Sequence, residues 1–416
     1  MRILHVIASL APRYGGPSVA CPALCRELAR LGHQVSIYTT NVDGDRCAPL
    51  PLDRLVLDRG VEIRYFSGWT RPHEFKFSPS LWAALARHIP TFDLVHIYSL
   101  YGFSSTAAAH LCRRFQVPYV LHPHGSLDPF LLSRHALRKR IYSTLFEYRN
   151  FRYASSLVFN SHEELRLAAP WLDRFLPRAK EHPLREVVPV GVEDECFASV
   201  PPAARQLFLA RFPELRKKQV ILFFGRLSFK KGLDLLAQAF IELARSAPRA
   251  HLLVAGPDTE GLGQKLRHWL SDGKVLEKAT FTGTLHDSAR FAALQLADVF
   301  VLPSYSENFG QSVAEAMASS VPVVISNKVN IWPEVQRVGA GVVVPCDSAE
   351  TARAILTLLR NPARAKEMGR QGCTWASRNL TWLVVGVQME ALYRGLTKNS
   401  RAQHVSSAIT LGRRTI

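Results

Sequence analysis

Short apolar runs alternate with helical patterns along almost the whole chain, and few folds tolerate that rhythm. Runs at residues 3–8, 35–39, 61–66, 94–98, 119–121, 157–159 and 187–190 read as buried strands. Helical stretches separate several of them, at 19–30, 79–88 and 106–114. The rhythm restarts with runs at 220–224, 252–255, 280–282, 299–302, 321–325 and 341–344, and helices at 233–244, 291–296 and 349–359 lie between. Continuous apolar strands joined by helices are βαβ units, which build parallel sheets covered on both faces. The expected class is α/β, with two Rossmann-like, doubly wound parallel sheets facing a central cleft.

A chain of 416 residues exceeds one ordinary core and suits two domains. Pro201-Pro202 punctuates the middle, so the expected division is 1–198 and 199–376. An amphipathic pattern over 375–396 places a terminal helix at 377–398, expected to cross back to the first domain. Residues 399–416, polar and without periodicity, are expected to fray. No run is long and apolar enough to span a bilayer. The start, Met1-Arg2-Ile3-Leu4-His5, reads as a first strand rather than a signal peptide, because its apolar run is short and broken by His5. The seven cysteines form no Cys-x-x-Cys pair. Cys21 and Cys25, one helical turn apart, read as two small buried residues in a reduced, cytosolic protein.

The formal net charge of +18 calls for an anionic partner. No zinc-finger spacing, aromatic RNA-binding motif or basic tail supports nucleic acid. One concentration stands out: Arg134, Arg138, Lys139, Arg140, Arg149 and Arg152, opposed only by Glu147 and interleaved with Leu137, Ile141, Leu145, Phe146 and Tyr148. A basic amphipathic helix of this kind lies on an anionic membrane surface, or it is a solvated helix packed on its own domain. Both readings stand.

The strongest candidate site runs from Pro303 to Ala316, after the strand at 299–302. Gly310 lets backbone approach a ligand, and the N–H groups of Asn308, Phe309, Gly310 and Gln311 sit at the positive end of a helix. Glu307 precedes that helix and Glu315 follows eight residues later. Either the two carboxylates grip hydroxyls, or they are the acidic residues that helix starts favour anyway. After the strand at 220–224, Gly225-Arg226-Leu227-Ser228-Phe229-Lys230-Lys231-Gly232 offers a planar guanidinium and a mobile ammonium, a pairing suited to a diphosphate. It is not a Walker loop. Gly15-Gly16-Pro17 follows the first strand and permits close backbone approach, or is a plain tight turn. His124 and Gly125 follow the strand at 119–121, where a histidine can contact a reacting group. His122 and His124 lack a third metal ligand at suitable spacing. Asp128 contacts an acceptor hydroxyl or caps the helix beginning near Pro129.

Together these strings resemble family 4 of the glycosyltransferases, retaining enzymes of the GT-B fold. The resemblance spans nearly the whole chain and is strongest over 220–344. It implies a nucleoside-diphosphate-sugar donor, no metal and no other cofactor. It also implies roles. Glu307 holds donor-sugar hydroxyls with Asn308, Phe309 and Gly310, and Glu315 holds the ribose. Arg226 and Lys231 stabilise the leaving diphosphate, and the segment from Thr280 to Leu285 meets the base. His124 contacts the sugar near the reacting centre, and Gly15 and Gly16 line the donor site. The family has no settled protein nucleophile; the donor phosphate takes the acceptor's proton on the same face. Two departures concern sugar and nucleotide preference. Asn308 stands where many relatives have glycine, and Asn327–Glu334 replaces a Gly-rich turn.

The expected function is transfer of a hexose to a surface polysaccharide or lipid-linked glycan, by a cytoplasmic protein peripheral to the inner membrane face. Its rivals are a soluble enzyme making a small glycosylated metabolite and a catalytically silent sugar- or polyanion-binding protein of the same fold.

Overall fold

The structure is a computed structural model that describes residues 1–71, 75–133, 136–176 and 183–412, with side chains through Lys398. It comprises two compact units, Met1–Gly191 with the terminal segment from Trp382, and Val192–Thr381.

The first unit is built on eight strands: β1 (Arg2–Ser9), β2 (Gln34–Thr40), β3 (Leu55–Asp58), β4 (Val61–Phe66), β5 (Leu94–Tyr98), β6 (Tyr119–His122), β7 (Ser156–Phe159) and β8 (Leu184–Val187). Their order is β8-β7-β6-β5-β1-β2-β4-β3. All neighbours are parallel except the short edge strand β3, which pairs antiparallel with β4. Side-chain alternation sorts the core onto the two faces of this sheet. Leu4, Val6, Val95, Ile97 and Leu121 belong to one apolar cluster, and Ile3, Ile7, Leu94 and Val120 to the other. A sheet buried on both faces needs apolar residues at both parities, which is why these strands read as continuous runs.

Helix α1 (Gly16–Arg30) covers the second face together with the terminal helix α6 (Trp382–Gly412), whose Val385, Met389 and Tyr393 join that core. His33 and Glu390 meet at 3.0 Å beside them. The single long pattern expected at 375–396 is two helices, Pro362–Asn379 and α6. They part at Leu380 and Thr381, where the Val192 N–H donates to the Leu380 carbonyl at 2.6 Å and Val192 bridges Thr381. The chain thus leaves and re-enters the first unit at adjacent points, Gly191 and Trp382. The helical backbone of α6 continues to Gly412, through the segment expected to fray. No proline interrupts it there, and no glycine does between Leu396 and Gly412. Residues 413–416 lie outside the described residues.

The second unit carries β9 (Gln219–Phe224), β10 (Ala250–Ala255), β11 (Ala279–Gly283), β12 (Val299–Leu302), β13 (Val323–Ser326) and β14 (Gly341–Val344), all parallel, in the order β11-β10-β9-β12-β13-β14. The chain winds outward one way from β9 and the other way from β12. These two strands therefore flank the topological switch point, outside whose carboxyl ends ligands of such sheets bind.

The carboxyl edge of this sheet is tightly drawn. Gly256, just after β10, has φ 142°, and a Cβ there would lie 2.0 Å from the Gly225 carbonyl oxygen. Gly256→Ala is expected to destabilise the second unit by at least ~1–3 kcal/mol, because a backbone atom cannot swing aside as a side chain can. Urea denaturation of the two proteins gives the difference.

Candidate active site

Both switch-point strands end in loops that carry the predicted residues. After β9 the chain passes Gly225 and Arg226, makes a 3-10 turn over Phe229–Lys231, and starts helix α3 (Leu233–Leu243) from Gly232. After β12 it runs from Pro303 to Gly310 and starts helix α5 (Gln311–Ala318). The Tyr305 N–H donates to the Lys230 carbonyl at 2.8 Å, and the Tyr305 hydroxyl to Asp234 at 2.7 Å. Gly232, at φ 66°, fits against the Pro303 carbonyl, which a Cβ would approach to 2.1 Å. The second loop is also tied to the chain beyond β13. The Glu307 N–H donates to Lys328 at 2.9 Å, and the Asn330 N–H returns to Glu307 at 3.0 Å.

This pairing of loops brings Arg226, Lys231 and Glu307 together. The Lys231 ammonium donates to a Glu307 carboxylate oxygen, and Lys230 lies 3.9 Å from the other. Burial alone raises the Glu307 carboxyl, but Lys230, Lys231 and, more weakly, Arg226 outweigh it and hold the group down at about 2. Burial lowers the Lys231 ammonium, against the pull of Glu307. Lys230 was legible as part of a Lys-Lys pair, but its place at Glu307 was not.

Glu315 occupies a different setting. It is buried on α5 and meets Arg290 at 2.8 Å, and Arg290 also reaches Glu193 at 3.2 Å. Burial raises its carboxyl despite that guanidinium. Arg290 lies on helix α4 (Asp287–Leu296), in a sequence stretch without any motif. The remaining donor-side candidates line the same edge of this sheet. Phe309 is buried, Asn308 holds a buried Oδ1 with no partner, and Leu285 is buried just after β11.

In the first unit the candidates again sit beyond carboxyl strand ends. Gly15 (φ 84°) and Gly16 open α1 after β1. His124 follows β6 in the left-handed region, at φ 49°. The loop is held by Glu164 on helix α2 (His162–Phe175), whose carboxylate accepts from the Gly125 and Asn160 N–H groups, both at 2.6 Å. Ser161 accepts from the Glu164 N–H at 3.0 Å. Ser161-x-x-Glu164 is thus a capping box turned to fix a loop, and the motif is visible in sequence. The His124 ring stacks on His122 at 3.7 Å and on Tyr98 at 5.2 Å. Burial and His122 hold it well below the ordinary imidazole range, so it is neutral. Asp128 accepts from the Phe130 N–H at 2.8 Å, capping the helix Pro129–Ser133.

The basic segment splits by direction. Arg138, Arg140, Arg149 and Arg152 are exposed, as are Leu137, Ile141, Leu145 and Phe146. Lys139 donates to the Leu131 carbonyl at 2.5 Å. Glu147 is buried on a π-helical turn, accepting from the Tyr101 N–H at 2.7 Å and from Asn150 at 3.0 Å. The acid that opposes this charge in sequence therefore faces inward. Arg134 lies outside the described residues. Among the described residues no helix is long and apolar enough to cross a membrane. Cys21 and Cys25 are buried, and His5 joins them to give three ligand-type atoms within 4.8 Å of one another, one short of the four that a structural zinc site takes.

The Glu307 carboxyl makes the second unit's stability pH-dependent. Its folded value lies below the ordinary 4.5, so its contribution is full above 4.5 and is lost as pH falls toward about 2. In urea titrations, the stability advantage of wild type over Glu307→Gln is expected to shrink across that window and to be constant above it.

Two family models match the chain, one in each unit. Residues 15–185 match the glycosyl transferase 4-like domain, and residues 206–375 match glycosyl transferases group 1. Mannosylfructose-phosphate synthase of Agrobacterium fabrum is 27% identical over 92% of this chain and 87% of its own. D-inositol 3-phosphate glycosyltransferase of Kineococcus radiotolerans is 28% identical over 92% of this chain and 93% of its own. Among solved structures, the Anabaena HepE protein in complex with UDP and glucose superposes with a TM-score of 0.73. It is 18% identical, over 95% of this chain and 100% of that one. With both halves matched and the two parallel sheets observed, the chain belongs to the group 1, family 4-type glycosyltransferases of the GT-B fold.

Proposed function

We propose that this glycosyltransferase moves a hexose from a nucleoside-diphosphate sugar to an acceptor hydroxyl, with retention at the anomeric carbon. The observation that carries the reading is Lys230, Lys231 and Arg226 gathered around Glu307 at the switch point. Fixed positive charge in a partly buried site stabilises a departing diphosphate where charge develops. That is the task a divalent metal performs elsewhere, and here the reading assigns it to Arg226 and Lys231 without a metal. Glu307 accepts from sugar hydroxyls beside the Asn308–Gly310 backbone, Glu315 from the ribose, and the Leu285 segment meets the base. His124 contacts the sugar, Gly15 and Gly16 admit the donor closely, and Asp128 stands on the acceptor side. The departing phosphate oxygen takes the acceptor's proton. The HepE complex with UDP and glucose supports a nucleotide-sugar donor.

Lys231→Ala and Glu307→Ala are each expected to lower kcat/KM for sugar-nucleotide turnover by about 10²–10³-fold, with EDTA present throughout. Equal activity in all three proteins would overturn the assignments. No turnover by wild type would favour a silent sugar-binding protein.

We further propose that the acceptor is a growing surface polysaccharide or lipid-linked glycan, met at the inner face of the cell membrane. Leu137 and Leu145, 72% and 59% exposed, project among Arg138, Arg140, Arg149 and Arg152, and such a surface suits anionic headgroups. At low salt the protein is expected to float with phosphatidylglycerol vesicles and not with phosphatidylcholine vesicles. Leu137→Ser combined with Arg138→Ser is expected to weaken flotation. Full turnover without lipid, and no flotation, would favour the soluble enzyme of small metabolites.

A further inference from the structure

His5, His96 and His122 occupy β1, β5 and β6, three adjacent strands, on the face of the sheet that the terminal helix covers. All three are buried. His5 Nδ1 lies 3.0 Å from the Tyr98 hydroxyl and its Nε2 has no partner, while His96 and His122 bond to each other and to their neighbours. The Tyr393 hydroxyl on α6 lies 2.5 Å from His96 Nδ1. His96 Nε2 lies 3.2 Å from His122 Nδ1. His122 Nε2 lies 3.0 Å from Asn160 Oδ1. The other end of that amide, Nδ2, lies 3.3 Å from His124 Nδ1. His124 Nε2 is buried and has no partner.

Proton placement follows from the inventory of each group. A neutral imidazole has one N–H and one bare nitrogen. Burial holds His96, His122 and His124 well below the ordinary range, so all three are neutral, and it keeps Tyr393 protonated. The Asn160 carbonyl oxygen only accepts, so the His122 proton sits on Nε2 and donates there. The bare His122 Nδ1 accepts from the His96 Nε2–H, and the bare His96 Nδ1 accepts from the Tyr393 O–H. The amide N–H then donates to His124 Nδ1, which leaves the His124 proton on Nε2. Ring stacking of His5 on His96 and of His122 on His124 keeps the planes in register.

We propose that Tyr393, His96, His122 and Asn160 are positioning residues that form a one-way hydrogen-bond chain, fixing His124 as the Nε2–H tautomer. His124 then meets the bound donor as a hydrogen-bond donor to an oxygen of the sugar or phosphate, and not as a base. The identity of that ligand rests on the function proposed above; the tautomer does not. A buried N–H without a partner is costly, and a ligand oxygen would satisfy it.

Two-bond 1H–15N correlation spectra of histidine-labelled protein read the tautomer directly, without substrate. Wild type is expected to show His124 protonated at Nε2, unchanged across about pH 6–8. Asn160→Asp replaces the amide by a carboxylate that only accepts. His124 is then expected to carry its proton on Nδ1, and kcat to fall about 10²-fold with KM nearly unchanged. The groups facing His124 are His122, Tyr98 and the residue at 160. Glu164 is committed to the Gly125 and Asn160 backbone. In Asn160→Asp the new charge raises the basicity of His124. Its imidazolium regains the Nε2–H, so activity of the variant is expected to climb as pH falls, whereas the wild-type tautomer stays unchanged. Tyr393→Phe, which removes the first donor, is expected to split His124 between tautomers and to cost about 3- to 10-fold in kcat. It serves also if Asn160→Asp does not fold.

An Nδ1–H His124 in wild type, or the Nε2–H tautomer persisting in Asn160→Asp at neutral pH, would overturn the chain. Wild type with the expected tautomer but no sugar transfer would overturn the transferase reading and leave the chain standing.

Discussion

The Lys231–Glu307 ion pair holds the second unit's site in one piece. It joins the loop after β9 to the loop after β12, neighbours in the sheet but 76 residues apart in sequence. Burying two charges is costly unless they meet, and removing one partner leaves the other uncompensated, at a cost of about 3–5 kcal/mol. The Tyr305–Lys230 and Tyr305–Asp234 hydrogen bonds add links across the same seam. Glycine at 232 then lets the first loop settle on the Pro303 carbonyl. Sheet order brings the loops together, and the ion pair sets how their side chains meet.

The first unit solves a different problem. Its strands are apolar on both faces, yet one face carries a stripe of imidazoles crossing β1, β5 and β6. A polar stripe in a core is costly where a polar atom is left unpaired, as His5 Nε2 is. Here the pairing ends on two residues that the sheet does not supply: Tyr393 from the terminal helix and Asn160 from the turn after β7. The return of the chain to this unit is therefore more than apolar cover, since α6 brings the hydroxyl that completes the network.

The alternation of strand and helix made both sheets legible, because parallel strands buried on two faces carry unbroken apolar runs. Arg226, Lys231 and Glu307 were legible because each follows such a run at a strand end. The pairing of Lys231 with Glu307 was not, since local sequence does not say which strands become neighbours. Arg290 was hidden for the same reason: it meets Glu315 only after α4 and α5 have packed. The histidine stripe left a faint trace. His5 interrupts the first apolar run and His96 sits inside another, and each reads there as an isolated flaw. Only strand register sets them side by side, His5 opposite His96. The break between the last two helices is not legible in sequence, because Leu380 and Thr381 carry no turn signal; the Val192 N–H meets the Leu380 carbonyl there from 188 residues away.

The charge balance of the second unit's site bears on its proposed substrate. Arg226, Lys230 and Lys231 all act on Glu307, in a partly desolvated setting. Like charges gathered there repel one another, and burial with Lys230 and Arg226 lowers the Lys231 ammonium. A dianionic diphosphate arriving there meets a field already oriented toward it, so little reorganisation is needed as the bond to the sugar breaks. In the proposed complex the diphosphate competes with Glu307 for the Lys231 ammonium. Drawing Lys231 toward phosphate releases Glu307 oxygens to accept from sugar hydroxyls. On this reading, recognition of the two halves of the donor is coupled through a single proton-bearing nitrogen.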